Sequence, residues 1–239
     1  MIVQDQIRQL ARKYQTTELN IRREYFQHLF LSYFYQQPQS QSVYFKGGTA
    51  LKILYHSPRF SEDLDFSATD KDIREIEQAI LSTLSEIKRE GIEVELSEAK
   101  ETSGGYLAIV NFGPSGHIVS IQLHISLREG EKRGEVVMVV NDFIPPYTLL
   151  QLSRDQLVGE KVKALLTRKK PRDFYDFYFI LRSNLTPAVK KEILPQVLKT
   201  LQDSELNFEL ELRQFLPHSH WKVIKDLKKV LASEIERFI

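Results

Sequence analysis

The sequence predicts an α+β protein with two parts. Residues 1–145 are expected to form a mixed β-sheet with helices, and residues 146–239 an all-helical C-terminal domain. Three observations predict this division. Apolar residues recur at helical spacing near the N-terminus, short segments of alternating apolar residues follow, and the Pro145-Pro146 pair precedes segments that are helical in pattern only. A chain of 239 residues is long enough to bury a sizeable core.

Apolar spacing and turn residues predict the individual elements in order. Helices are expected over residues 4–35, 49–55, 70–90, 153–168, 172–182, 186–200, 204–214 and 219–238. Strands are expected over residues 43–45, 63–66, 92–98, 105–112, 117–127 and 135–141. The glycine pair Gly104-Gly105 and the segment 113–116 are typical of hairpin connections between these strands.

Composition excludes several classes of function. Hydrophobic residues make up 42% and charged residues 27%, which is ordinary for a globular protein. The net charge of +1 gives no global attraction to nucleic acid, so any RNA contact needs a local basic patch. The absence of cysteine excludes disulfides, thiolate zinc sites and a cysteine nucleophile. No signal-peptide pattern and no apolar run of about 18 residues is found, so a cytoplasmic protein is expected.

Two features close together in the sequence suggest phosphoryl chemistry. Gly47 and Gly48 form a turn at the start of a predicted helix, where backbone N–H groups suit a phosphate. Asp63 and Asp65 are two apart on a predicted strand, so both carboxylates point to the same side and could bind Mg²⁺. Each feature alone is usually a plain turn or an exposed strand face. Their proximity favours a nucleotide site.

The residues around these features resemble a known family. Residues 47–51 and 59–66, with the pattern GGTAL and then RFSEDLDF, are similar to the first motif of AbiEii/AbiGii-type nucleotidyltransferases. The block over residues 160–176 resembles the second motif of that family. The resemblance covers roughly residues 44–182. It implies a polymerase-β-like core that transfers NMP from an NTP to an acceptor hydroxyl with release of pyrophosphate.

The resemblance also implies a biological setting and a set of first-motif residues. Such proteins are toxins of bacterial toxin–antitoxin and abortive-infection systems, with tRNA 3′ ends as acceptors in some relatives and an antitoxin or regulator encoded nearby. It implies that Asp63 and Asp65 bind one or two Mg²⁺. It further implies nucleotide-binding roles for residues of the first motif: Gly47, Gly48, Thr49, Arg59 and Ser61.

The position of the third carboxylate departs from the pattern of the superfamily. The segment 119–127 resembles the strand that usually holds this acid, and His124 stands at the position that aligns with it. A histidine can accept a proton near neutral pH, although two neighbouring carboxylates would favour its protonated form. The sequence leaves several possibilities open. His124 is the base, or another group or water takes that role, or activity is reduced. Alternatively, the ring only occupies a polar strand face.

The second motif supplies a cation and one or two acids. The resemblance implies that Lys161 stabilises the triphosphate, whereas helical lysines more often lie at the surface. Asp173 and Asp176 share a helical face. The functional aspartate of the family is one of these two, with Asp173 slightly favoured, although Asp173 could equally stabilise a helix start. Asp176 could instead pair with Arg172.

Basic residues are densest along one short stretch, which is a plausible surface for an RNA acceptor or simply an exposed helix end. The stretch consists of Lys161, Lys163, Arg168, Lys169, Lys170 and Arg172. Two other functions remain open from the sequence. The acceptor could be a small molecule, such as an aminoglycoside, or a protein hydroxyl. Alternatively, the chain could be a nucleotide-binding module without catalytic activity.

Overall fold

A computed structural model describes residues 2–69, 72–114, 118–127 and 130–239. Within these residues it has seven β-strands: β1 (Val43–Lys46), β2 (Leu64–Ala68), β3 (Val94–Thr102), β4 (Gly105–Phe112), β5 (Val119–Ser126), β6 (Gly134–Val139) and β7 (Tyr147–Leu152). The α-helices of the same described residues are α1 (Gln4–Lys13), α2 (Glu18–Phe34), α3 (Gly47–Tyr55), α4 (Ile73–Arg89), α5 (Arg154–Arg168), α6 (Pro171–Leu181), α7 (Leu194–Gln202), α8 (Phe208–Leu212), α9 (Trp221–Lys225) and α10 (Leu227–Glu236).

The strands form one mixed sheet in the order β3-β4-β5-β2-β1-β7-β6. β2 pairs with β5 and β1 with β7 in parallel, and the other pairs are antiparallel. One face packs on α2 and α4 around stacked and tilted rings, including Phe34, Phe45 and Phe66. The alternation of β2 buries Leu64 and Phe66 and leaves Asp65 on the opposite face. The α+β fold class is therefore confirmed.

The N-terminal helix predicted over residues 4–35 is two helices. α1 ends at Lys13, Gln15 takes a left-handed conformation with φ of +52°, and α2 begins at Glu18. Thr17 caps the second helix, because its hydroxyl oxygen accepts a hydrogen bond from the backbone N–H of Asn20 (3.2 Å). Both helices have apolar faces, so apolar spacing alone did not reveal the break between them.

The expectation that everything after Pro146 is helical is wrong. β7 follows the proline pair and lies inside the sheet, between β1 and β6. Beyond β7, α5 to α10 surround a second core that includes Phe174, Leu201 and Leu231. The helix predicted over residues 186–200 is two 3₁₀ turns followed by α7, and the one over 219–238 is a 3₁₀ turn followed by α9 and α10.

Some predicted boundaries fall outside the described residues. The predicted helix start at Asp70 lies there, and α4 begins at Ile73 after its cap Asp72, whose carboxylate accepts from the N–H of Arg74 (2.9 Å). Parts of the predicted turn over 113–116 and of the predicted strand over 117–127 lie there as well. In the parts of the chain that are described, no helix is both long and apolar enough to span a bilayer.

Candidate active site

The two glycines of the turn provide space for the side chains that face them. Gly47 has a φ of +85°, a conformation that favours glycine, and α3 begins at this residue. A Cβ atom built on Gly47 would collide with the carboxylate of Asp65. A Cβ atom on Gly48 would collide with the Arg59 guanidinium and lie 2.9 Å from the Ser61 hydroxyl oxygen. The start of α3 therefore lies directly against an acid and a cation.

Asp63 and Asp65 lie at the start of β2, beside this turn. Asp63 immediately precedes the strand, which begins one residue later than predicted, and Asp65 is its second residue. Both side chains are half-buried. Burial raises the pKa of Asp63, and the negative charge of Asp65 raises it further, whereas His124 and Arg172 lower it. The two carboxylates are thus held close together despite their repulsion.

The strand register places His124 beside Asp65. The two residues are partners in the parallel pairing of β5 with β2, so their side chains share one face of the sheet. His124 is half-buried and also lies opposite Leu107 of β4. The alignment made from the sequence therefore corresponds to a direct neighbour in space. Whether the imidazole accepts a proton stays a prediction.

The chemistry of this donor set fits a magnesium ion that shares its coordination with a substrate. Neither Asp63 nor Asp65 has a side-chain hydrogen bond or ion pair to any described residue, so both carboxylates are available. Mg²⁺ is commonly bound by one or two carboxylates together with substrate phosphates and water. No group of three or more acidic, histidine or cysteine side chains able to hold a metal occurs among the described residues. A cation here would therefore depend on the nucleotide for further ligands.

Arg59, Lys161 and Asp176 form a buried ionic cluster next to the turn. Arg59 binds both carboxylate oxygens of Asp176, through Nε (2.7 Å) and Nη2 (2.9 Å), and Lys161 Nζ binds Oδ2 (2.7 Å). Burial alone would raise the pKa of Asp176, but the two cations and their hydrogen bonds lower it to about 2. Two positive charges face one negative charge, so the cluster favours an anion beside Gly48.

This cluster changes the interpretation of the second motif. Lys161 is buried rather than at the surface, and Asp176 pairs with Arg59 and Lys161 instead of Arg172. The charge of Arg172 lowers the pKa of Asp63. The proposed pairing of Asp176 with Arg172 is therefore wrong.

Asp173 has a structural role that its sequence position suggested. It is the third residue of α6, its Oδ2 accepts from the backbone N–H of Lys170 (3.2 Å), and its Oδ1 binds Arg168 (2.5 Å). Both contacts stabilise the helix start. Asp173 contributes indirectly to the site, because its charge acts on Arg59. Of the two acids of this motif, Asp176 is the one that contacts other site residues.

The remaining first-motif side chains position the loop before β2. The Thr49 hydroxyl is buried and donates to the backbone carbonyl of Asp63, which fixes the acid relative to α3. Gln27 of α2 was missed by the sequence analysis. Its Nε2 donates to the carbonyls of Ser61 and Glu62, at 3.0 Å each. A single buried glutamine on a helix gives no sequence signal for such a role.

Lys46 was a second omission. It ends β1 opposite Asp65 in the antiparallel register, and its Nζ lies 2.6 Å from Glu160 Oε2 of α5. This ion pair joins the strand before the glycine turn to the helix that carries Lys161. The first and second motifs are therefore connected at two places, here and at the Arg59–Asp176 contact.

The basic stretch separates into a buried and an exposed part. Lys161 belongs to the ionic cluster, and Arg168 pairs with Asp173. Lys163, Lys169 and Lys170 are exposed, and none of them has a side-chain ion pair to another described residue. Lys169 and Lys170 lie in the connection between α5 and α6. This exposed basic connection lies between Lys161 and Asp176 in the sequence.

Replacing Gly48 by Ala is expected to abolish most activity and to lower stability, because the new methyl group would push Arg59 and Ser61 out of place. The matched control is Gly159→Ala in α5, where an added Cβ meets nothing within 4 Å. That change should raise the free energy of unfolding by about 0.5–1 kcal/mol. Urea unfolding and a transfer assay on both variants test this pair. Equal behaviour of the two would contradict the close packing at Gly48.

Comparisons with known proteins found a matching family and solved structures of similar fold. The family model described as "Nucleotidyl transferase AbiEii toxin, Type IV TA system" matches residues 29–235. The crystal structure of JHP933 from Helicobacter pylori resembles the chain with a TM-score of 0.61 and 18% identity, over 93% of both chains. A candidate nucleotidyltransferase from H. pylori has a TM-score of 0.59 and 18% identity, over 93% of this chain and 99% of its own. Among curated proteins, none matches the sequence.

Proposed function

The chain belongs to the AbiEii nucleotidyltransferase toxin family, and from this premise we propose that it transfers NMP from an NTP to a hydroxyl at the 3′ end of tRNA. The sequence resemblance to this family is confirmed, and a transferase activity follows from membership. The observation that supports the proposed site best is the pair of unpartnered acids against the glycine turn. The proposal includes a cytoplasmic setting and a cognate antitoxin encoded nearby.

The first motif would hold the nucleotide. Backbone N–H groups of Gly47 to Thr49 would donate to its phosphates at the start of α3, and the Ser61 hydroxyl would add a further donor. Asp63 and Asp65 would hold Mg²⁺, which supplies charge neutralisation on the phosphoryl oxygens when it is bound. The crowding of the two carboxylates supports this assignment, because a divalent cation would relieve it.

The second motif would neutralise the triphosphate. Lys161 and Arg59 together exceed the charge of Asp176, and Arg59 contacts the position where a Gly48 side chain would stand. Asp176 would hold both cations in place, so that they need no rearrangement as negative charge develops on the leaving pyrophosphate. Asp173 would support Arg168 and the start of α6.

His124 would act on the acceptor. It lies on the same sheet face as Asp65 and is half-buried, so an acceptor hydroxyl above this face could reach it. As a neutral imidazole it would accept the hydroxyl proton as the oxygen attacks the α-phosphorus. Replacing His124 by Ala would then lower the rate, and replacing it by Asp would restore the acid that is usual in polymerase-β-like enzymes.

The acceptor is tested directly with labelled NTPs. The protein is incubated with each labelled NTP and Mg²⁺ together with total tRNA, an aminoglycoside panel or a cell protein extract, and the label is located. Label at tRNA 3′ ends, absent with Asp65→Ala, is the expected result. Label only in a drug or protein would contradict the RNA acceptor but keep the chemistry. NTP binding without pyrophosphate release would contradict catalysis and favour a binding module.

The exposed basic connection between α5 and α6 is expected to bind the RNA backbone. The double variant Lys169→Glu/Lys170→Glu should reduce transfer to tRNA about tenfold or more and weaken its salt dependence, while NTP affinity stays unchanged. The matched control is Lys190→Glu/Lys191→Glu, a second exposed lysine pair in the helical region. Initial rates against salt concentration distinguish the two. An equal loss in both variants would mean that only net charge matters.

A further inference from the structure

A polar cavity of about 300 Å³ lies at the C-terminal end of α3. Its wall is formed by the α1–α2 region, α3 and the loop after it, the connection between β6 and β7, and Pro217 of the helical region. None of the residues assigned to the nucleotide site lines it. The cavity is therefore distinct from the glycine turn, which lies at the opposite end of the same helix.

Two buried polar atoms of lining residues have no partner among the described residues. They are Oε2 of Glu24 and Nδ2 of Asn141. Asn141 is held in orientation, because its Oδ1 accepts from the backbone N–H groups of Phe143 (2.8 Å) and Ile144 (2.9 Å). Its amide nitrogen is then left as a free donor. Buried polar groups are nearly always hydrogen-bonded, so these two atoms leave the wall of the cavity with an unmet acceptor and an unmet donor.

Lys52 and Glu24 both line this cavity, but they do not form a direct ion pair. Lys52 Nζ lies 4.0 Å from the centroid of the Phe60 ring and 5.6 Å from that of Tyr14, and no described carboxylate is within 4.0 Å of it. Burial lowers the pKa of Lys52 and raises the pKa of Glu24, and each charge opposes the shift of the other. The two charges therefore interact without a direct ion pair of 4.0 Å or less.

Two other ionisable groups of the wall, Asp142 and His28, have partners. Asp142 accepts from Lys13 and from the Tyr14 hydroxyl (2.6 Å). His28 Nδ1 lies 2.9 Å from the Tyr147 hydroxyl, and burial lowers its pKa to about 3, so the ring is neutral. Among the described residues, no cluster suitable for a metal is present at this place. Glu24, Asn141 and Lys52 therefore present one acceptor, one donor and one cation to a guest.

We propose that this cavity binds a small zwitterion, namely an α-amino acid with an apolar side chain. Its ammonium would donate to Glu24, and its carboxylate would accept from Lys52 and from Asn141 Nδ2. Its side chain would lie against the apolar part of the wall, which includes Ile53 and Phe143. An anion alone would leave Glu24 without a donor, and an amine alone would leave Lys52 without a counter-charge.

Binding of matched ligands tests the proposal. The full chain is titrated with L-leucine or L-phenylalanine, and with analogues of each that lack either the ammonium or the carboxylate group, by calorimetry and thermal unfolding. A saturable rise in Tm with the amino acid, and affinity lower by about tenfold or more for each analogue, is expected. Binding should weaken about tenfold in Glu24→Gln and Lys52→Met and stay unchanged in Lys88→Gln, an exposed control.

Two results would overturn the proposal. If neither amino acid changes Tm at millimolar concentration, the cavity holds only water. If the analogues bind as well as the parent amino acids, the cavity does not recognise a zwitterion. The unliganded Tm of each variant is measured first. Should Lys52→Met fail to fold, Glu24→Gln decides alone, because it removes a buried carboxylate without changing the shape of the side chain. The test uses no nucleotide, so it is independent of the transfer reaction.

Discussion

Replacing Asp63 by Asn is expected to reduce nucleotidyl transfer about a thousandfold or more, while the protein stays as stable as the parent or becomes more stable at neutral pH. The loss of rate corresponds to several kcal/mol of charge stabilisation by a bound cation. The variant is expected to keep or gain stability because it relieves the crowding of the Asp63 and Asp65 carboxylates. Burial and the charge of Asp65 raise the pKa of Asp63, so its ionised form is disfavoured in the folded state.

The pH dependence of the free energy of unfolding should differ between the parent and the Asp63→Asn variant. The folded state holds the Asp63 proton more tightly than the unfolded chain, so the parent loses stability as pH rises from the ordinary value of 3.8 through the raised pKa. The Asn variant should lack this loss. Urea unfolding between pH 3.5 and pH 7, at about half-unit steps, measures the difference. A variant that is much less stable than the parent at pH 7 would show that Asp63 is a structural residue.

Replacing Asp176 by Asn is expected to have the opposite profile, with loss of both activity and stability. It would leave Arg59 and Lys161 buried without a counter-charge, at a cost of about 3–5 kcal/mol. The exposed pair Glu131–Arg133 provides a control. Glu131→Gln should leave the free energy of unfolding nearly unchanged, because water screens this exposed pair.

Acid titration separates the contribution of Asp176 from general destabilisation. Its pKa is lowered to about 2 in the fold from an ordinary value of 3.8, so its stabilisation is present above 3.8 and is lost as the pH falls towards 2. The parent should lose stability in this range more steeply than Asp176→Asn. Parallel curves for the two proteins would contradict the ion cluster.

Local patterns predicted the parts of the site that depend on local geometry. The period of two in β2 placed Asp63 and Asp65 on one side, and the glycine pair marked the start of α3. The pairing of Arg59 with Asp176 joins residues 117 positions apart, and no periodicity encodes such a contact. It has to be read from tertiary packing.

The strand β7 was missed because its pairing also depends on long-range contacts. The residues of β7 alternate in burial, as strand residues do, but the proline pair before them suggested the end of the sheet. After Pro145 and Pro146 the chain returns to the sheet, where β7 pairs with β1 in parallel. This pairing joins segments that are far apart in the sequence. The preference for Asp173 over Asp176, which rests on its place beside the arginine that opens the motif, stays a prediction. The structure adds that Asp173 caps the start of α6.

The ionic cluster joins three distant segments: the loop before β2, α5 and α6. A truncated gene product ending near residue 145 would retain both acids and the glycine turn, but Arg59 would lose its carboxylate. Such a fragment would leave Arg59 without its counter-charge and exposed to water. Catalytic competence therefore depends on contact between the two parts, and a nick between them should inactivate the protein only when the halves come apart.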